Sequence, residues 1–88
     1  SGQLMSRARD VVEVVARALV DYPEGVVITE TERKDGTRVV LRTEPGDLGK
    51  LIGRQGRTAT AVRTLAMTAA ELEGQRVSVD FVDAREER

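Results

Sequence analysis

The chain has 88 residues, a formal net charge of −1, one tyrosine, one phenylalanine, and neither cysteine nor histidine. This length predicts one small domain, and the missing cysteines and histidines exclude disulfides, thiolate or imidazole metal sites, and catalysis by a Cys–His or Ser–His pair. No apolar run approaches the roughly 20 residues of a membrane span, so no membrane contact is expected. The lack of cysteine is compatible with a reducing cytoplasm, where we expect the protein, and no cofactor is predicted.

The first predicted element is an amphipathic helix that begins after Ser6, a residue type that suits an N-cap. Apolar residues then recur at helical spacing, at Val12, Val15, Ala16 and Leu19. Pro23 is predicted to end this helix, because proline disfavours helical backbone at the residue before it. We expect residues 1–3, which precede the helix, to be a remnant of an expression tag or disordered.

A β-hairpin is predicted next. The segments VVITETE and TRVVLRT, residues 26–32 and 37–43, are rich in β-branched residues, and the Asp35-Gly36 pair between them is a strong turn signal. Val39 and Leu41 fall on one face of the second strand. The register stays open, because a two-residue and a three-residue loop pair different faces of the first strand.

Two helices separated by a break are predicted after the hairpin. Pro45 suits the start of a short helix, and Asp47 suits the positive end of its dipole. Residues 53–56 interrupt the helical pattern. A longer helix is predicted over residues 57–73, with Gly74 as its C-terminal cap.

The last predicted element is a strand. Apolar and polar residues alternate over residues 76–82, which puts Val77, Val79 and Phe81 on one face. Residues 83–88 are predicted to be a charged flexible tail. The resulting order αββααβ predicts one α+β domain over residues 4–82, with a three-stranded sheet covered on one face by three helices.

The break between the last two helices contains an unusual pair of glycines. Gly53 and Gly56 bracket Arg54 and Gln55, although glycine costs about 1 kcal/mol in a helix interior. Glycine reaches unusual dihedrals and lets another backbone approach closely. The helix behind the break presents free N–H groups and the positive end of its dipole, which favour an anion, and Arg54 and Arg57 add positive charge there. These features predict a phosphate site.

The surrounding sequence makes this region basic and excludes two common kinds of nucleotide-binding loop. Between Leu48 and Ala70 there is no acid, while Lys50 and Arg63 add to the arginines of the break. Neither the nucleotide P-loop pattern nor the dinucleotide pattern G-x-G-x-x-G fits, because leucine stands where the first glycine of each should be. What remains is G-x-x-G between two helices, preceded by Ile52.

Ile-Gly-x-x-Gly between two helices resembles the signature of KH domains, whose loop clamps about four backbone nucleotides of RNA. The longer stretch GKLIGRQGRTATAVRTL, residues 49–65, is similar to the corresponding stretch of the small bacterial single-KH proteins of the KhpA family. The resemblance implies the type II KH topology and single-stranded RNA as the ligand. It also implies a homodimer, or a heterodimer with a larger KH-containing protein of the KhpB type.

The same resemblance implies residue roles. The implied RNA-binding residues are Lys50, Ile52, Gly53, Arg54, Gln55, Gly56, Arg57 and Arg63. Bases would lie along an apolar groove, for which the candidate floor residues are Leu48, Ile52, Val62, Val39 and Leu41. For Ile52 and Val62, plain core packing is an equally good interpretation. For the glycines and the two residues between them, the alternative is a ligand-free turn with a solvated tip.

The function predicted from these features is a single-stranded RNA-binding module that acts as a post-transcriptional regulator or RNA chaperone. The alternative is a KH-shaped protein-interaction or dimerisation module with weak RNA contact. An enzyme is not expected, because no carboxylate pair, nucleophile–base set or metal cluster stands out. The scarcity of aromatic residues argues against RRM and OB modules, which stack bases on aromatic side chains.

Overall fold

A computed structural model of the protein describes residues 6–83. Its helices and strands are α1 (Arg7–Leu19), β1 (Val27–Arg33), β2 (Gly36–Thr43), α2 (Leu48–Ile52), α3 (Arg57–Glu71) and β3 (Val77–Asp83). The predicted order αββααβ and the α+β class are confirmed. The predictions for residues 1–3 and 84–88 lie outside the described residues.

The three strands form one sheet in the order β1-β2-β3. The central strand β2 pairs antiparallel with β1 and parallel with β3, so β3 lies at one edge. Arg33 pairs with Gly36, which settles the hairpin register as a two-residue loop at Lys34 and Asp35. The hairpin turn lies where the Asp35-Gly36 pair predicted it. Gly36 closes this turn and is the first residue of β2, rather than one of the two loop residues.

Gly36 is glycine because the strands approach closely there. Its φ is +137°, and a Cβ at this position would lie 2.8 Å from the backbone oxygen of Arg76, just before β3. Thr37 N–H donates to that same oxygen at 2.9 Å. The glycine thus serves both the end of the hairpin turn, through its positive φ, and the parallel pairing of β2 with β3, through the space that a Cβ would fill.

The helices cover one face of the sheet. Val39 and Leu41, predicted to share a face, are both 0% exposed and belong to one apolar cluster with residues of all three helices. Alanines at the contact of α1 with α3, Ala16 and Ala66 among them, let these helices pack closely. The opposite face of the sheet carries an ion pair in which Arg38 Nε lies 2.7 Å from Asp80 Oδ2.

Helix α1 begins as predicted. The side-chain oxygen of Ser6 accepts a hydrogen bond from the backbone N–H of Arg9 at 3.1 Å, as an N-cap residue does. Hydrogen bonds from Arg9 and Arg17 hold the pKa of the Glu13 carboxyl below its usual value. The helix ends at Leu19, and Pro23 starts a separate single turn of 3-10 helix.

Helix α3 ends two residues before the predicted limit, at Glu71. The predicted glycine cap is confirmed, because Gly74 adopts φ +69° and its N–H donates to the carbonyl oxygen of Glu71 at 3.0 Å. Strand β3 extends through Asp83, the residue at which the charged tail was predicted to begin. Over residues 6–83, no helix is long and apolar enough to cross a membrane.

The start of α2 differs from the prediction. Pro45 lies in a turn, and α2 begins only at Leu48. Asp47 was predicted to interact with the positive end of the α2 dipole. The residue is only 3% exposed, and its carboxylate also has specific hydrogen-bond partners. It accepts hydrogen bonds from the backbone N–H groups of Asp21 (3.3 Å) and Tyr22 (3.0 Å). The side chain thereby joins the start of α2 to the connection between α1 and β1.

We expect Asp47→Ala to destabilise the domain by about 2 kcal/mol, because two partly buried backbone N–H groups each lose the carboxylate oxygen that accepts from them. Thermal unfolding measures the effect. Asp47→Asn is the matched control, since it keeps one acceptor oxygen and should lose less. An alanine variant that melts like the wild-type protein would contradict the anchoring role of this carboxylate.

Candidate nucleic-acid interface

The break between α2 and α3 is a tight turn, residues 53–56, called the glycine loop below. Gly53 has φ +75° and ψ 176°, a region that is essentially restricted to glycine. Gly56 has φ +74° and ψ 13°, which is left-handed helical backbone. Gln55 also has positive φ, at 55°, although it carries a side chain. The glycine loop therefore stores backbone strain at its tip.

The two glycines are required for different reasons. A Cβ on Gly53 would lie 2.3 Å from Thr58 Oγ1 and 3.0 Å from Thr58 N, so the first turn of α3 packs directly against this residue. A Cβ on Gly56 would meet no atom within 4 Å. Gly53 thus serves both close packing and backbone conformation, whereas Gly56 serves conformation and leaves open space at the start of α3.

The polar residues in the glycine loop and at the first position of α3 point into solvent. Arg54, Gln55 and Arg57 are all exposed. Arg57 Nη2 donates to Gln55 Oε1 at 3.0 Å, which holds one guanidinium against the tip of the loop. No described side chain caps the N-terminus of α3. The N–H of Arg57 donates to the carbonyl oxygen of Arg54. Exposed positive charge therefore lies at a helix N-terminus that no side chain caps, which is an arrangement that favours an anion.

Lys50 is basic but has an acidic neighbour. Its Nζ lies 3.3 Å from Asp21 Oδ2, and both side chains are exposed. The acid comes from the α1–β1 connection, so the acid-free sequence around Lys50 did not reveal it. Because exposed ion pairs contribute little, Asp21 lowers the local positive potential without fixing the lysine.

Arg63 lies away from the glycine loop, against the sheet. Its Nε donates to the carbonyl oxygen of Val79 in β3 at 3.0 Å. Its Cζ is 4.9 Å from the centre of the Phe81 ring, a cation–π distance. The structure thus places seven of the eight predicted site residues in or beside the glycine loop. The eighth, Arg63, lies between α3 and β3.

The apolar groove has a different floor from the predicted one. Val39, Leu41 and Val62 are at most 3% exposed, so they belong to the core and cannot touch a ligand. Leu48 and Ile52 are half-buried and remain accessible in part. Sequence patterns put the three buried residues on apolar faces, but such patterns do not tell a core face from a groove floor.

A surface groove instead runs between α3 and the outer edge of β3, called the α3–β3 groove below. Part of it forms a depression of about 340 Å³ lined by Arg63, Met67, Val77, Ser78, Val79 and Asp80. Sequence reasoning missed this groove, because alternation identified β3 as a strand without showing that it lies at an edge. Depressions of about 390 and 380 Å³ near the hairpin are lined by both acids and bases and lie away from the glycine loop.

A family model describing the KH domain of KhpA and KhpB matches residues 9–81. The chain belongs to the KhpA/KhpB KH-domain family. In this KH domain the glycine loop is the Gly-x-x-Gly segment, and the resemblance found in residues 49–65 is confirmed.

Relatives agree with this membership over most of the domain. The chain is 40% identical to the RNA-binding protein KhpA of Halalkalibacterium halodurans, over 85% of this chain and 99% of that protein. It is 39% identical to the KhpA of Aquifex aeolicus, over 90% of this chain and all of that protein. The KhpA of Mycobacterium tuberculosis H37Rv is 45% identical over 84% of this chain. These relatives are named RNA-binding proteins rather than enzymes.

Solved structures show the same fold at low sequence identity. Era in complex with MgGDPNP and nucleotides 1506–1542 of 16S ribosomal RNA matches this KH domain with a TM-score of 0.67 at 20% identity. Era of Aquifex aeolicus bound to GDP·AlF4⁻ matches with a TM-score of 0.65 at 19% identity. The matches cover 91% and 86% of this chain but only 31% and 29% of the Era chains. The likeness is therefore one of fold.

Proposed function

We propose that this KH domain binds single-stranded RNA by clamping the sugar–phosphate backbone at its glycine loop. The observation that carries the proposal is the exposed, positively charged loop directly in front of the uncapped N-terminus of α3. Curated relatives of nearly the same length are named RNA-binding proteins, which supports RNA as the ligand.

The glycine loop supplies three kinds of contact for a phosphate. The space next to Gly56 lets the backbone of a nucleic acid approach closely. Backbone N–H groups at the start of α3 donate to phosphate oxygens. Arg54 and Arg57 add charge-assisted hydrogen bonds, and Lys50 adds a weaker positive field because Asp21 lies beside it.

Bases of the clamped strand would lie in the α3–β3 groove. Among residues 6–83, strand β3 pairs only with β2, so its other edge offers backbone N–H and C=O groups for hydrogen bonds to base edges. Half-buried Ile52 lies next to the glycine loop and offers apolar contact to a base. We propose that this binding occurs in the cytoplasm and serves post-transcriptional regulation or RNA chaperoning. Relatives covered over nearly their whole length are named RNA-binding proteins, which supports a role that acts on RNA.

We expect single-stranded RNA to bind better than duplex RNA, because the glycine loop and groove fit one backbone with splayed bases. If about three phosphates are contacted, the log–log slope of affinity against salt should be near −2, from roughly −0.7 per contact. Fluorescence titrations with an unstructured oligonucleotide and with a hairpin stem, each at several salt concentrations, measure both quantities. Equal affinity for the stem, or a flat salt response, would argue against the clamp.

We further propose that the domain pairs with a second copy or with a larger KH-containing protein of the KhpB type. One domain grips only about four nucleotides, so two domains on one strand would gain affinity through effective concentration. Analytical sedimentation, with and without RNA, should show a dimer. A protein that stays monomeric and still binds RNA tightly would contradict the proposed pairing. A dimer that does not bind RNA would favour the protein-interaction alternative.

A further inference from the structure

Arg63 is fixed in the α3–β3 groove although it is exposed. Two contacts hold it, the hydrogen bond from Nε to the carbonyl oxygen of Val79 and the cation–π contact with Phe81. Within the described residues, neither Nη nitrogen makes a hydrogen bond or ion pair. If Arg63 only added positive charge near the glycine loop, its side chain would not need to be held in one position. The two contacts therefore indicate a more specific role.

The orientation of β3 explains how the side chain is held. The carbonyl oxygen of Arg76 accepts from Thr37 in β2, so this residue's backbone groups face the neighbouring strand. Backbone groups alternate in direction along a strand, so those of Val79 face the free edge, where Arg63 reaches them. The guanidinium therefore lies at the open side of the groove, with the Phe81 ring on one of its sides.

The groove holds no exposed aromatic ring that could stack on a base. The chain has one phenylalanine and one tyrosine. Phe81 is half-buried under the Arg63 guanidinium, and Tyr22 lies in the α1–β1 connection, next to the start of α2. Bases also stack on arginine guanidinium planes, so a guanidinium seated on a ring can replace an aromatic platform.

The position along α3 suits a strand that is clamped at the glycine loop. Gly56, Thr60, Arg63 and Met67 follow at spacings of four, three and four, so they share one side of the helix. Arg63 lies six residues after Arg57, or about 9 Å along the helix axis. A backbone held at the loop would therefore carry its next bases past Arg63.

We propose that Arg63 is the platform on which one base of the bound RNA strand stacks, through the guanidinium face that Phe81 leaves open. This inference rests on the proposed RNA binding and adds to it a residue that recognises bases rather than phosphates. A purely electrostatic Arg63 would be replaceable by lysine, whereas a stacking Arg63 would not be, because lysine keeps the charge and loses the plane.

The experiment measures affinity for a short single-stranded RNA and for the same RNA with a stable abasic spacer at each position in turn. For the wild-type protein, one spacer position should lower affinity about tenfold, from a stacking free energy near 1.4 kcal/mol. For Arg63→Lys, the intact RNA should bind about tenfold more weakly, and the same spacer should change affinity less than about twofold. The salt slope should not change, because the charge is retained.

Arg57→Lys is the matched control, because it makes the same chemical change at a proposed phosphate contact and should leave the spacer effect intact. Melting curves establish that both variants are folded. An Arg63→Lys variant that keeps the full spacer effect would overturn the stacking role while leaving RNA binding in place. If the wild-type protein bound no RNA, or if a variant with Arg54→Asp and Gln55→Asp bound RNA as tightly as the wild type, the proposed function itself would be overturned.

Discussion

A variant with Arg54→Asp and Gln55→Asp is expected to lose most of its RNA affinity and to keep its fold. Both side chains are exposed at the tip of the glycine loop. Two carboxylates in their place would face the phosphates at the start of α3 and turn attraction into repulsion. The measurement is an RNA titration paired with a melting curve of the same preparation.

The structure explains why this double substitution should be tolerated by the fold. Gln55 has φ 55° and ψ 25°, a left-handed conformation that aspartate adopts more readily than glutamine. Acidic side chains near the N-terminus of α3 also interact favourably with its dipole. The free energy of unfolding should therefore change by no more than about 0.5 kcal/mol, the usual range for surface substitutions.

A control variant separates local repulsion from a change in net charge. Lys34→Asp with Gln75→Asp alters the net charge by the same amount, but both exposed residues lie beyond the C-terminal end of α3. We expect this variant to keep most of its RNA affinity. If the variant with Arg54→Asp and Gln55→Asp had the melting temperature and the RNA affinity of the wild type, the clamp mechanism would be wrong. That result would favour the protein-interaction alternative.

Gly53→Ala is expected to destabilise the domain by about 3 kcal/mol, a large share of the stability of so small a protein. The added Cβ would lie 2.3 Å from Thr58 Oγ1 and 2.8 Å from Thr58 Cβ. The backbone at φ +75° and ψ 176° is also one that alanine resists. Either the loop or the first turn of α3 must move, so RNA binding should fall as well.

Gly56→Asn provides the comparison for this effect. Its added Cβ would meet nothing within 4 Å, and asparagine tolerates the left-handed backbone found there. We expect it to cost less than about 1 kcal/mol in thermal or urea unfolding. If the two variants unfolded alike, the contact between Gly53 and Thr58 would not be the reason for the first glycine.

Much of this domain could be predicted from neighbouring residues alone. The spacing of apolar residues, the Ser6 cap and the Gly74 cap placed the elements in the correct order. Gly53 and Gly56 marked the loop, because their conformation is a property of the local backbone. Helical and strand periods, caps and turns all depend on contacts within a few residues, which a sequence displays directly.

The tertiary structure alone decided which residues meet across the fold. The Asp47 carboxylate binds backbone groups 25 and 26 residues earlier, and Arg38 pairs with Asp80 at a separation of 42 residues. Tertiary packing also places β3 at a sheet edge and buries Val62. It brings the guanidinium of Arg63 over the ring of Phe81. Periodicity shows that a face is apolar but not what covers it, because burial and edge position depend on how separate elements pack.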